Sequence, residues 1–312
     1  MDERIADILR CPRCRSRLDA GPAQRCANPA CRFASEGFPR VGDAAVLIDF
    51  DASLVDRDSL LRGRGASPLS RSRTWLRRLR EWASGPNAEA ARNCALFLAR
   101  LRDVPAPRVL VVGGGSRGSG TQALYEAKDI RLVGTDVYAS PDVEILADGH
   151  QLPFADGSFH GVWIQAVLEH VVAPESVVAE IHRVLVDGGL VYAETPFLQP
   201  VHERAYDFTR FTRSGHRWLF RGFSEIAAGT IGGPAESLLW AIRYLARGLF
   251  RSEKIGSAFA VAFFWLRTLD RFVGDAWRAD AATGVYFLGA KSATQTITPR
   301  DLVDYFPGVR GG

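Results

Sequence analysis

The middle of this chain alternates between two kinds of hydrophobic pattern. Short continuous apolar runs occur at 109–112, 130–136, 143–147, 161–165 and 190–195, and a stretch with helical spacing at 173–185 lies between the last two. Unbroken apolar runs of this length suit strands buried on both faces. Strands that alternate with helices at this spacing predict an α/β fold with a doubly wound parallel sheet. Residues 222–230 and 284–291 add a sixth and a seventh strand. Residues 87–102 read as an amphipathic helix that packs on the sheet and is ended by Pro105 and Pro107. Between the last two strands lies an insertion, about 233–280, with helices expected at 234–250 and 256–273. The second is very apolar but too short and too closely flanked by charge to cross a bilayer.

The first strand runs straight into Gly113-Gly-Gly-Ser-Arg-Gly118-Ser-Gly120, five glycines in eight positions, and residues 121–128 can form the helix that follows. Glycine lets the backbone take positive φ and lets a ligand approach the amides, and a helix N-terminus adds unpaired N–H donors. Together these features describe a nucleotide-type cofactor site at the carboxyl end of a first strand. The alternative is a glycine-rich surface loop. The second strand ends in Asp136, 23 residues past Gly113, near the spacing at which a carboxylate accepts both hydroxyls of a cofactor ribose.

The first fifty residues carry a separate signal. Cys11-Pro-Arg-Cys14 is followed after eleven residues by Cys26 and then by Cys31. Two close thiolate pairs joined by a short hairpin supply the four soft ligands that a tetrahedral Zn2+ takes. The chain has five cysteines and 312 residues. Its N-terminus has no basic region followed by an apolar core, so reduced thiols and a cytoplasmic protein are expected. The fifth, Cys94, lies on an apolar helical face and reads as a buried free thiol. About forty residues bury too little core alone, so this mini-domain is expected to lean on its metal.

The opening Ile8-Leu9-Arg-Cys-Pro-Arg-Cys14, the second cysteine pair and Phe38-Pro-Arg-Val-Gly-Asp-Ala-Ala-Val-Leu-Ile-Asp49 resemble a small zinc-ribbon family. Its best-known member is the activator subunit of several methyltransferases. A second resemblance covers residues 109–195. Asp148-Gly-His-Gln-Leu-Pro-Phe-Ala-Asp-Gly-Ser-Phe159, then Leu168-Glu-His-Val171, then Ile181-His-Arg-Val-Leu-Val-Asp-Gly-Gly-Leu-Val191, is similar to the phrases of class I S-adenosylmethionine-dependent methyltransferases. The resemblance implies a seven-stranded Rossmann-like sheet whose last strand is antiparallel. It implies that Gly113 and Gly115, with Gly118, pass the methionine moiety and that Asp136 holds the ribose. Asp148 would contact the adenine amino group with Gly149 beside it, and Gln165 would face the sulfonium. The chain departs from the family at Val111, where an acid is frequent, at His160, and in an extra loop residue before Gly118.

Residues 196–220 are polar, aromatic and rich in titratable groups, and they begin where the fifth strand ends, so they should overhang the methyl group. This stretch resembles a segment of a methyltransferase subgroup. His202 is the expected catalytic base, with Asp207 orienting it or binding the acceptor. A structural loop network of His202, Asp207 and Arg210 is the competing reading. His182 and His216 are expected on helix surfaces.

Charge changes the picture little. The net charge of +4 does not by itself demand nucleic acid. Eight arginines between Arg57 and Arg80, among glycine, serine and proline, mark a linker with a short helix at 74–83. It can be a solvated linker, or it can touch RNA phosphates or an anionic membrane. The division read from the sequence is a zinc ribbon at 1–50, a basic linker at 51–84, a methyltransferase domain at 85–298 and a tail at 299–312. The expected activity is methyl transfer to O or N of a small-molecule or glycan-type acceptor. An RNA methyltransferase and a non-catalytic partner protein are the alternatives. The apolar insertion helix is expected to serve as a lid, as the face of a homodimer, or as a peripheral membrane contact.

Overall fold

The computed structural model describes residues 3–19, 21, 23–62, 87–306 and 308. The arginine-rich run from Arg64 to Arg80 and the helix expected at 74–83 lie outside the described residues.

The strands are β1 (Arg40–Val41), β2 (Ala44–Val46), β3 (Arg108–Val112), β4 (Arg131–Asp136), β5 (Ile145–Leu146), β6 (Phe159–Gln165), β7 (Leu185–Pro196), β8 (Phe223–Ile231) and β9 (Gly284–Lys291). They form one sheet in the order β1-β2-β5-β4-β3-β6-β7-β9-β8. Strands β5, β4, β3, β6 and β7 run parallel, and β9 lies antiparallel between β7 and β8. The Ala88–Leu101 helix covers one face with Cys94, Phe97 and Leu101, against Trp163 and Tyr192 of the central strands. The Pro174–Val184 helix covers the other with Val177, Ile181 and Val184.

Among the described residues the sheet has nine strands, not the expected seven. The two extra strands are the β1–β2 hairpin of the cysteine-rich segment, whose Ala45 and Val46 pair in parallel with Ile145 and Leu146. Without that hairpin β5 would be an open edge with unpaired amides. The segment is joined to the sheet at a second place. Leu9 bridges Phe154, the Arg10 amide donates to the Pro153 carbonyl at 2.9 Å, and the Ala155 amide to the Ile8 carbonyl at 2.8 Å. Arg15 pairs with the nearly buried Glu180 at 2.9 Å. Ile5, Ile8, Leu9, Phe33 and Phe38 accordingly belong to the same buried cluster as Leu110, Phe154 and Phe159. The cysteine-rich segment thus shares a core with the sheet as well as holding four thiols.

In the insertion, the Pro234–Phe250 helix follows its expected bounds. The continuous helix expected at 256–273 does not form: an α-helix spans Glu253–Ala262 and a 3-10 stretch spans Phe264–Phe272. A tertiary contact accompanies the change. Asp270 accepts the amides of Ala235 at 2.8 Å and Glu236 at 3.0 Å, and so caps the N-terminus of the Pro234–Phe250 helix. Among the described residues, no helix is long and apolar enough to cross a membrane.

Because the cysteine-rich segment and the sheet share one core, Leu9→Ala is expected to destabilise the whole chain by roughly 2–5 kcal/mol. Scanning calorimetry should show one transition shifted downward. A separate ribbon transition, with the main one unmoved, would contradict the shared core.

Candidate active site

The carboxyl ends of β3, β4, β6 and β7 open into a cavity of about 560 Å³. Its floor is the glycine loop. Gly113 takes φ 79°, and a Cβ there would stand 2.1 Å from Val167 Cγ2, so only glycine fits. The amides of Gly113 and Gly114 both reach the Thr135 carbonyl at 2.9 Å, which ties the loop to β4. Gly115 donates to Asp136 Oδ2 at 2.7 Å, and Tyr138 donates to Asp136 Oδ1 at 3.0 Å. Burial pushes the Asp136 carboxyl above its usual range despite these two amides. Gly118 stands against Gln165, where a Cβ would meet Oε1 at 2.1 Å.

The structure brings all seven expected cofactor residues, Gly113, Gly115, Gly118, Asp136, Asp148, Gly149 and Gln165, to this one cavity. Asp148 is held by the His150 amide at 2.9 Å, by His150 Nδ1 at 2.6 Å and by the Ser53 hydroxyl. Burial works to raise its carboxyl, and these hydrogen bonds take it below the ordinary value. Ser53 belongs to a segment that sequence reasoning assigned to the linker. Leu54, Val55, Asp56, Ser59 and Leu60 form part of the wall, the last two on the Arg57–Leu61 helix. No residue of 233–280 lines the cavity.

Glu194 was missed as a site residue. It sits near the end of β7 and takes hydrogen bonds from Asn87 Nδ2 at 2.8 Å, the Tyr192 hydroxyl at 3.0 Å and Gln165 Nε2 at 3.1 Å. Burial nevertheless pushes it up to about 7. Its signal was present: an acid within an otherwise apolar, buried strand. Beside it Ala166 has φ 55°, an uncommon conformation for a residue with a Cβ, and it directs the chain out of β6 into the cavity wall.

The far wall holds His170, Glu203 and Tyr206. His170 Nδ1 lies 2.7 Å from the Tyr206 carbonyl, and its ring meets that of His202 edge to face with centroids 5.0 Å apart. Glu169 is fully buried behind them. Neither of its carboxyl oxygens has a hydrogen-bond partner, and burial pushes it up to about 8. The Nε2 atoms of His170 and His202 stand 3.6 and 3.8 Å from Glu169 Oε1.

Asp207 is not aimed at the His202 ring, whose Nδ1 is 3.6 Å away. It pairs with Arg210 through both guanidinium ends and accepts the His202 amide at 2.8 Å. Burial opposes ionisation of Asp207, and Arg210 together with the His202 amide holds it well below the usual carboxylate range. Arg210 also reaches the carbonyls of Gln199 at 2.9 Å and Pro200 at 3.1 Å. The loop is therefore an ion-pair network, with His202 carried on it. His216 is not on a surface: it is buried against Phe211 and Phe220, and desolvation takes its imidazole down to about 3. His182 is half-buried, with Nε2 3.0 Å from the Ser292 carbonyl.

The four ribbon thiols converge away from the cavity. Cys11 and Cys31 Sγ are 3.8 Å apart, Cys14 and Cys26 Sγ 3.3 Å, and all four lie within 4.8 Å of one another. Tetrahedral zinc, with Zn–S near 2.3 Å, needs sulfur separations of about 3.8 Å. The residues therefore fit the metal. The Asn28 amide pointing at Cys26 Sγ at 3.4 Å further suits a thiolate. Cys94 is a buried free thiol, as expected.

The family model of the methyltransferase domain matches residues 110–193, from the end of β3 to β7. This segment is a methyltransferase domain. Malonyl-[acyl-carrier protein] O-methyltransferase of Laribacter hongkongensis is 43% identical over 58 residues, which are 18% of this chain and 20% of that protein. The chain thus spans only a fifth of this curated relative. Two solved structures are similar to part of the chain. A complex of the Haloferax volcanii Trm112 methyltransferase activator with a methyltransferase is 22% identical, with TM-score 0.44 and coverage of 71% of this chain and 96% of the other. Phosphoethanolamine N-methyltransferase 2 of Haemonchus contortus is 16% identical, with TM-score 0.45, 72% of this chain and 60% of the other. Likenesses this distant carry nothing about substrate.

Removing Arg210 leaves the Asp207 charge unpaired. Arg210→Ala is expected to speed hydrogen exchange of the His202 and Glu203 amides by at least about tenfold, a local loss of about 1.4 kcal/mol. Unchanged exchange would contradict the clamp.

Proposed function

We propose that this chain is an S-adenosylmethionine-dependent methyltransferase that transfers a methyl group to an oxygen or nitrogen of a small-molecule or glycan-type acceptor. The observation that carries this reading is the convergence of the glycine loop, Asp136, Asp148, Gln165 and Glu194 on one cavity, most of it built by the matched segment 110–193.

In this reading the methionine moiety lies along Gly113 and Gly115, and Gly118 holds Gln165 close to the sulfonium. Asp136 spends one lone pair of each oxygen on loop amides and keeps the others for two ribose hydroxyls. Asp148, fixed by His150 and Ser53, accepts from the adenine amino group beside Gly149. The cofactor brings an ammonium and a sulfonium, and Val111 offers no countercharge where the family often has an acid. Glu194 supplies that charge from the neighbouring strand end.

Methyl transfer is an in-line displacement. The acceptor lone pair attacks the methyl carbon, the carbon–sulfur pair returns to sulfur, and the acceptor gives up a proton where its atom carries one. His170 lines the cavity on the acceptor side, with His202 and Glu169 packed against it, and His202 is the proton acceptor in this scheme. Asp207 is a positioning residue, since it holds the backbone on which His202 stands. Cys11, Cys14, Cys26 and Cys31 would hold a structural Zn2+, which would fix the segment whose continuation carries Ser53 and the 54–60 wall.

Calorimetric titration tests the reading. S-adenosylmethionine is expected to bind in the micromolar range while NADH does not, and Asp136→Ala should weaken it by at least about 100-fold, two charged hydrogen bonds' worth. Failure of the wild type to bind the methyl donor would overturn the assignment.

A further inference from the structure

We propose that Glu169, His170 and His202 form a binding site for a divalent transition-metal ion at the acceptor end of the cavity, distinct from the four-cysteine cluster. The tautomers follow from geometry. The Nδ1 of His170 faces the Tyr206 carbonyl at 2.7 Å, and the Nδ1 of His202 faces the Pro200 carbonyl at 3.2 Å. A carbonyl only accepts, so both imidazoles carry their proton on Nδ1. Each Nε2 is left with a lone pair, and both lone-pair nitrogens stand against the same carboxyl oxygen, at 3.6 and 3.8 Å.

That oxygen is buried, and neither it nor its twin has a hydrogen bond. Two lone-pair nitrogens against an ionised carboxylate are an unfavourable arrangement unless a proton or a cation lies among them. A cation among them removes the conflict. Arg210 spends its donors on Asp207 and on loop carbonyls.

The separations suit a small ion. With metal–nitrogen and metal–oxygen bonds of 2.0–2.2 Å, a tetrahedral edge is about 3.4 Å, so the two nitrogen–oxygen separations of 3.6 and 3.8 Å need to close by only a few tenths of an ångström. All three ligand atoms lie within 4.8 Å of one another. An imidazole whose other nitrogen donates to a carbonyl is the usual second-shell arrangement of a metal-bound histidine. The donor set, two nitrogens and one carboxylate, suits zinc, manganese, iron or cobalt better than magnesium or calcium. Three protein ligands leave a coordination position open, and His170 lines the cavity. If the methyltransferase reading holds, an acceptor oxygen takes that position, and His202 then acts as a ligand instead of a free base.

The test uses full-length protein with its cysteine site preloaded with zinc, dialysed against Mn2+ and, separately, Co2+, with metal content and calorimetric affinity as readouts. The wild type is expected to take up one further equivalent of at least one of these ions. His202→Ala, in an exposed loop, and Glu169→Gln should each weaken that uptake by at least about tenfold. Absence of a further equivalent in folded wild type, or equal uptake by both variants, would overturn the proposal. S-adenosylmethionine binding is measured on the same samples. Metal uptake without donor binding would uphold the metal site and fail the methyltransferase reading. Donor binding without metal uptake would do the reverse.

Discussion

A buried carboxylate must be paired, protonated or placed beside a cation, and two of them govern this molecule. Glu169 and Glu194 sit beyond β6 and near the end of β7, and desolvation pushes them up to about 8 and about 7. Neither forms an ion pair with lysine or arginine among the described residues. Holding negative potential where the strands end costs stability, and folds keep such arrangements mainly at sites that receive charge. The two carboxylates divide the cavity. Glu194 stands on the side of the glycine loop, where a cationic cofactor is proposed. Glu169 stands behind the two histidines, where the acceptor is proposed.

The second constraint is mechanical. The cysteine-rich segment does more than hang from the domain. It completes the sheet through β2, packs Ile8 and Leu9 into the common core, and then hands the chain to Ser53 and the 54–60 wall. Ser53 donates to Asp148, a residue proposed to hold the adenine. Folding of the four-thiol cluster is thereby coupled to the shape of the cofactor cavity through one short connection. A chain built this way carries its sheet-edge partner covalently, so edge pairing needs no encounter between molecules.

Much of this was legible before the structure. Continuous apolar runs between glycines disclosed the parallel strands, and the local spacing of Gly113, Gly115, Gly118 and Asp136 disclosed one side of the cavity. These signals are short-range: strand, loop and helix follow within about thirty residues. What stayed hidden depends on contacts between distant segments. That Ala45 would pair with Ile145 follows from register across a hundred residues, and no local pattern encodes it. The wall at 54–60 looked like linker because charge and small residues dominate it, while Leu54 and Leu60 face the cavity. Asp207 read either as a partner of His202 or as a member of a loop network with Arg210, and only the fold shows how closely Arg210 grips it. Glu169 was in plain view beside His170, but its burial and its distance from His202 exist only in three dimensions.

The central claim is that Glu194 supplies the countercharge for S-adenosylmethionine, and proton release on binding tests it most directly. With its carboxyl at about 7, roughly half the molecules are protonated at pH 7 and must lose that proton when the cation arrives. Calorimetry in two buffers of different ionisation enthalpy should therefore find about half a proton released per bound cofactor at pH 7. The release should approach one near pH 6, fall toward zero near pH 8, and be absent in Glu194→Gln. Binding with no proton released at pH 6 to 7, or with the same release in the variant, would contradict the account.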